Sequence, residues 1–123
     1  MEFYLCKHCG NIVAYVEHKG VGVVCCGEEM QLIKPNTVDA AIEKHIPVVA
    51  VDNNSVTVMV GSTLHPMTEP HHIVWIALHT EQGNQRKQLN ATGEPHAAFA
   101  LAPGDKVISA YAYCNLHGLW MSA

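Results

Sequence analysis

Ser55-Val-Thr-Val-Met-Val60 places a valine at every second position. Successive strand side chains point to opposite faces, so Val56, Val58 and Val60 line one face of an extended segment. Asp52-Asn-Asn54 reads as a turn and joins this strand to a preceding run, Pro47-Val-Val-Ala-Val51. Downstream, His72-Ile-Val-Trp-Ile-Ala-Leu-His79 gives another strand, with Ile73, Trp75 and Ala77 expected on one face. Glu81-Gln-Gly-Asn84 turns the chain again, and His96 to Leu101 and Lys106 to Tyr113 flank Pro103-Gly-Asp105. Short strands at regular spacing with turn residues between them predict a β-sandwich or barrel. No alternation of strands with helices points to a parallel sheet.

Upstream of this block the chain changes character. Pro35-Asn36 reads as a break, and Thr37 to Lys44 as a helical turn or loop with Thr37 as N-cap. Met1 to about Lys34 forms a small unit, with strands expected at Phe3–Leu5, Ile12–Val16 and Val21–Val24. So short a segment cannot bury enough apolar surface to fold alone, so it needs a staple.

Composition names the staple. Hydrophobic residues make up 49% and charged residues 15% of the 123, enough for a packed core and against wholesale disorder. The net charge of −4 argues against a nucleic-acid binder, which carries a basic face. No apolar run spans a membrane and no basic-then-apolar leader opens the chain, so the expected place is the cytoplasm. Five cysteines are many for such a chain, and an odd number does not suit a pure disulfide framework. With nine histidines beside them, the composition points to metals.

Cys6-Lys-His-Cys9 has the two-residue gap that aims two sulfurs at one ion, and Gly10 follows where such a turn needs positive φ. Fifteen residues intervene before Cys25-Cys26-Gly27. Four thiolates make a tetrahedral shell that suits zinc or a single iron, and spacing does not separate the two. The adjacent pair requires a bend, because neighbours on a straight strand face opposite ways.

A second donor set is dispersed. Cys114 and His117 lie within one tight turn, and His45, His65 and His71 stand at strand ends that could converge on one tip of the sandwich. His71 and His72 are neighbours, so one of them is expected to face the ion. His8, His18, His79 and His96 read as surface residues. This set fits iron with an open position. It also fits blue copper, with Cys114, His117, Met121 and one upstream histidine. A zinc-stabilised binding module without redox chemistry is the third reading.

At these residues the chain resembles the desulfoferrodoxins, the two-iron superoxide reductases. The cysteine segment looks like their desulforedoxin-type module. Glu43-Lys-His45, His65-Pro-Met-Thr-Glu-Pro-His71 and Cys114-Asn-Leu-His-Gly-Leu-Trp120 look like the motifs of their catalytic domain. The resemblance implies a mainly β protein: a desulforedoxin-like module over residues 1–36, then an immunoglobulin-like sandwich over 37–123. It implies two iron ions per chain. One is held by Cys6, Cys9, Cys25 and Cys26. The other is held by four equatorial imidazoles, from His45, His65, His71 and His117, and an axial thiolate from Cys114. It further implies superoxide as substrate, Glu43 and Lys44 beside the open position, a rubredoxin-type electron donor, and a homodimer. His72 departs from the aromatic residue that relatives often carry there.

Overall fold

A computed structural model describes residues 1–122. They divide into two compact units, Met1–Lys34 and Pro35 onward. The molecule is almost wholly β, a metal-binding module followed by an immunoglobulin-like sandwich.

The first unit is built from two-residue strands. β1 (Tyr4–Leu5) pairs antiparallel with both β2 (Ile12–Val13) and β5 (Gln31–Leu32), while β3 (Val24–Cys25) pairs with β4 (Glu28–Glu29). The expected strands at Ile12–Val16 and Val21–Val24 are shorter or displaced. Val16 and Val21 are exposed, because there is no inner face for them to join. Only Phe3, Cys6 and Met30 are buried in this unit.

The second unit opens with a single helical turn, α1 (Ile42–His45). Its N-cap is Ala41, which makes no side-chain cap bond; the turn therefore starts later than a Thr37 cap would place it. One sheet has the order β10-β7-β6, from β6 (Pro47–Asp52), β7 (Ser55–Val60) and β10 (His96–Ala100). The other has the order β12-β11-β8-β9, from β8 (Ile73–Thr80), β9 (Gly83–Gln88), β11 (Val107–Cys114) and β12 (Gly118–Met121).

The alternation in β7 behaves as its sequence requires. Val56, Val58 and Val60 are fully buried, and the intervening residues are exposed. They meet Ile73, Ile76 and Leu78 of β8, Phe99 of β10 and Ala110, Ala112 and Cys114 of β11 in one core. β8 is not one-faced. Trp75 and Ala77 are buried as well but lie outside that core cluster. An unbroken apolar run is the mark of a strand covered on both sides, and simple alternation misreads it. A register shift between Tyr113 and Cys114 lies where β11 meets the start of β8. Here the ladder ends and the loops of the candidate site begin.

Candidate metal centres

In the first unit, the turn after Cys6 closes through Gly10 N–H to the Cys6 carbonyl at 2.9 Å and Cys6 N–H to Asn11 O at 2.9 Å. Gly10 takes φ 84°. The bend demanded by the adjacent cysteines is present: Cys26 has φ 52° and Gly27 has φ 77°. The four sulfurs of Cys6, Cys9, Cys25 and Cys26 lie within 4.8 Å of one another, and Cys9 Sγ is 3.6 Å from Cys25 Sγ. Sulfurs about 2.3 Å from a tetrahedral ion would be about 3.8 Å apart, so the set fits one ion. The backbone N–H of Asn11 donates to Cys9 Sγ at 3.5 Å, and Asn11 Nδ2 donates to Cys25 Sγ at 3.7 Å. The backbone N–H of Cys9 lowers Cys6 to about 6. Cys26 is pushed up to about 12, chiefly because its thiol donates toward Cys9 and then Cys6. Four sulfurs this close do not all ionise unless a cation compensates them, which is the electrostatic signature of a thiolate metal site.

In the second unit the candidate ligand residues come from four places. α1 carries His45, the loop after β7 carries His65, the turn before β8 carries His71, and the end of β11 with the loop that follows carries Cys114 and His117. His45, His65, His71 and Cys114 bring one donor atom each within 4.8 Å of one another. His117 lies beside this group, its Nδ1 3.1 Å from His45 Nε2 and 3.9 Å from Cys114 Sγ.

The ring arrangement discriminates between geometries. Around the cycle His45, His65, His71, His117, neighbouring ring centroids are 4.7, 4.6, 5.1 and 4.9 Å apart and their planes cross at 80–83°. The diagonal His45–His71 is longer, at 6.3 Å. A tetrahedron would make all separations alike, whereas a square lengthens its diagonals. His45 Nε2 lies 3.2 Å from His65 Nε2. Nitrogens about 2.1 Å from an ion and at right angles to each other would stand about 3.0 Å apart. Four imidazoles about one point exceed the two of a blue-copper set, so the copper reading is set aside.

Three of the rings, His45, His65 and His71, are prepared to be neutral ligands. His45 and His65 use Nδ1 on the carbonyls of Ala41 and Pro66, both at 2.7 Å, which turns Nε2 inward. Burial lowers the pKa of His45, His65 and His71, and brings His65 to about 4. His71 Nε2 is buried without a hydrogen-bond partner, a cost that a metal ion would remove. Cys114 is fully buried. Burial raises its pKa, opposed by the backbone N–H of His117, which donates to Sγ at 3.4 Å, and that of Leu116. The donor chemistry therefore fits a transition metal with four imidazoles and one thiolate.

The remaining histidines are elsewhere. His72 Nδ1 sits 3.0 Å from the carbonyls of Thr68 and Glu69. His8 pairs with Glu28 at 2.7 Å, His96 pairs with Glu94, His18 stacks on Tyr15, and His79 is half-buried on β8. Glu43 and Lys44 are exposed on α1, next to His45. Sequence reasoning assigned no role to Trp120. Its ring lies 4.8 Å from that of His45, and its Nε1–H donates to His117 O at 3.1 Å. A single tryptophan at the end of the motif gives no spacing signal to separate such a support from ordinary core.

Comparison with known proteins places this pair of centres. Sequence models described as desulfoferrodoxin and as desulfoferrodoxin, N-terminal domain, match residues 37–123 and 1–33. The chain belongs to the desulfoferrodoxin family. It is 48% identical to a desulfoferrodoxin of Syntrophotalea carbinolica, over 99% of this chain and 95% of the relative. The crystal structure of the superoxide reductase from Treponema pallidum is similar with TM-score 0.83 and 41% identity, covering 98% of each chain. A one-iron superoxide reductase from Giardia intestinalis matches 65% of this chain and 95% of its own length, at 38% identity and TM-score 0.55. Both desulfoferrodoxin matches fall on segments that carry one of the two donor sets.

Proposed function

We infer that this desulfoferrodoxin is a superoxide reductase that holds two iron ions per chain and converts superoxide, with one electron and two protons, to hydrogen peroxide. The observation that carries the reading is the square of four imidazole rings with a buried cysteine sulfur beside it, on a fold shared with superoxide reductases. Cys6, Cys9, Cys25 and Cys26 would hold one iron. His45, His65, His71, His117 and Cys114 would hold the other, and the two roles divide the chain at residues 1–36 and 37–123. Bound by the second set, ferrous iron would supply the electron.

The chain's own residues do the rest. Neutral imidazoles leave the charge of a divalent ion uncancelled, and the single Cys114 thiolate removes one unit, so the site stays positive towards an anion. Lys44, exposed and adjacent to His45, adds to that field and draws superoxide inward. The N–H bond from His117 holds the Cys114 sulfur in place. Glu43 offers a hard carboxylate that suits the ferric state. A rubredoxin-type donor delivers electrons, as the family resemblance implies, and the four-cysteine centre, a closed shell with no room for substrate, relays them, is purely structural, or braces a homodimer. Five unpaired thiols suit a reducing cytoplasm. No helix among the described residues is long and apolar enough to cross a membrane.

The test is iron analysis joined to product stoichiometry. Purified protein is expected to contain about two irons per chain, and the reduced form to yield one peroxide per superoxide without releasing dioxygen. Dioxygen release would mark a dismutase and sink the reading. Lys44→Met should slow the reaction roughly tenfold at low salt and flatten its ionic-strength dependence. A parent-like rate and salt slope would remove Lys44 from the steering role.

A further inference from the structure

We propose that Asn115 is a positioning residue, which clips the backbone on both sides of His71 to the segment that carries Cys114 and His117. The side-chain oxygen of Asn115 accepts from His72 N–H at 2.9 Å, and its Nδ2 donates to Pro70 O at 3.0 Å. Its own backbone N–H donates to His72 O at 3.2 Å. One residue thus holds Pro70 and His72, the two neighbours of His71, while its own neighbour is Cys114.

Two features make this clip more than a loop contact. First, it sits where regular pairing stops. Ile73 and Cys114 are the last partners of the β8–β11 ladder, after the register shift at Tyr113. Without a further tie, the two strand ends would be free to splay at the point where both donors leave them. Second, His71 lacks the anchor that two other rings have. His45 and His65 each fix their orientation through Nδ1 on a carbonyl. Among the described residues no such ring bond is shown for His71, and its Nε2 is buried without a partner. The Thr68–His71 turn closes on itself, with Thr68 N–H to His71 O at 2.9 Å and His71 N–H to Thr68 O at 3.1 Å. The turn is therefore internally rigid, and Asn115 fixes where it stands relative to Cys114. The position uses an amide at both ends: a carboxylate lacks the donor and a leucine lacks both groups.

The inference rests on the reading that His71 and Cys114 share one ion, and the test separates the two. Asn115→Leu and Asn115→Asp are prepared as iron-loaded full-length chains beside the parent. Release of iron from the histidine site to a chelator, and the visible absorption of its thiolate–iron bond, are followed, with release from the four-cysteine site as internal control. The melting temperature of the metal-free chains is measured as well. Asn115→Leu is expected to weaken retention of the second iron about 10–100-fold and to shift the thiolate band, with Asn115→Asp between it and the parent. The four-cysteine iron should leave at the parent rate. A lower melting temperature with parent-like iron release and an unshifted band would make Asn115 merely structural and overturn the proposal. If Asn115→Leu fails to fold, Asn115→Asp decides, and parent-like retention in it overturns the proposal equally. A parent chain that held no iron in the second site would instead refute the superoxide reductase reading itself.

Discussion

His65 is the most enclosed of the four rings in chemical terms. It is 2% exposed, its Nδ1 faces the Pro66 carbonyl at 2.7 Å, and burial holds its pKa at about 4. An unfolded histidine titrates near 6.5, so the unfolded chain takes up the proton first as pH falls. Folding is then penalised: stability contributed by neutral His65 is fully present above about 6.5 and lost as pH drops towards 4. His45 and His71 shift in the same direction for the same reason. Metal-free protein should therefore lose on the order of 3 kcal/mol from His65 alone over that interval, read as a falling urea midpoint. A midpoint that stays flat between these pH values would show that the ring is not buried neutral. The donor identities at this scale were legible in the sequence, because cysteine and histidine announce metal chemistry by type. The supports were not. Asn115, Trp120 and the carbonyls of Ala41 and Pro66 are ordinary groups whose role appears only when the loops converge.

At the scale of elements, the strands with a strong alternation were readable and those defined by their neighbours were not. β7 could be read directly. β9, Gly-Asn-Gln-Arg-Lys-Gln from Gly83 to Gln88, has no apolar face and is an edge strand. It exists through its ladder with β8 and through Gln85 and Lys87, which donate to the Ala100 and Ala98 carbonyls. Its charges suit an edge that must not recruit another strand. β12 was hidden inside the motif that carries His117, since four residues are too few to show a period. The most demanding element is the turn after β7. Gly61 has φ +87°, and a Cβ there would come within 2.3 Å of Thr63 O and 2.8 Å of Glu43 O. This close approach lets Thr63 N–H reach the Glu43 carbonyl at 2.9 Å, so the turn carrying His65 grips the helical turn carrying Glu43, Lys44 and His45. Gly61→Ala should cost about 1–3 kcal/mol in denaturant melts and slow superoxide reduction, because both segments must shift. Unchanged stability would mean the turn relaxes without moving α1.

At the scale of the whole molecule, the two units depend on metal to different degrees. The sandwich owns a continuous core, with Val56, Val58, Val60, Ile76 and Leu78 fully buried. The first unit buries three side chains, and one of them, Cys6, is itself a sulfur donor. Its strands are two residues long, and Val16, Val21, Val24 and Leu32 remain exposed. Such a unit gains little from apolar burial, so metal binding supplies most of its folding free energy. The sandwich needs the ion for chemistry and for the ordering of its loops, while its strands persist without it. Removing both metals should therefore unfold residues 1–34 and leave β7, β8 and β11 intact. Amide hydrogen exchange of chelator-treated protein checks this: amides of the first unit should exchange at nearly unfolded rates, while those of the three central strands stay protected. Cys9→Ser should reproduce the first-unit pattern selectively while the histidine site keeps its iron. Cooperative loss of protection in both units after Cys9→Ser would show that the sandwich relies on the module for its fold, and would defeat the assignment of separate folding roles to the two metal centres.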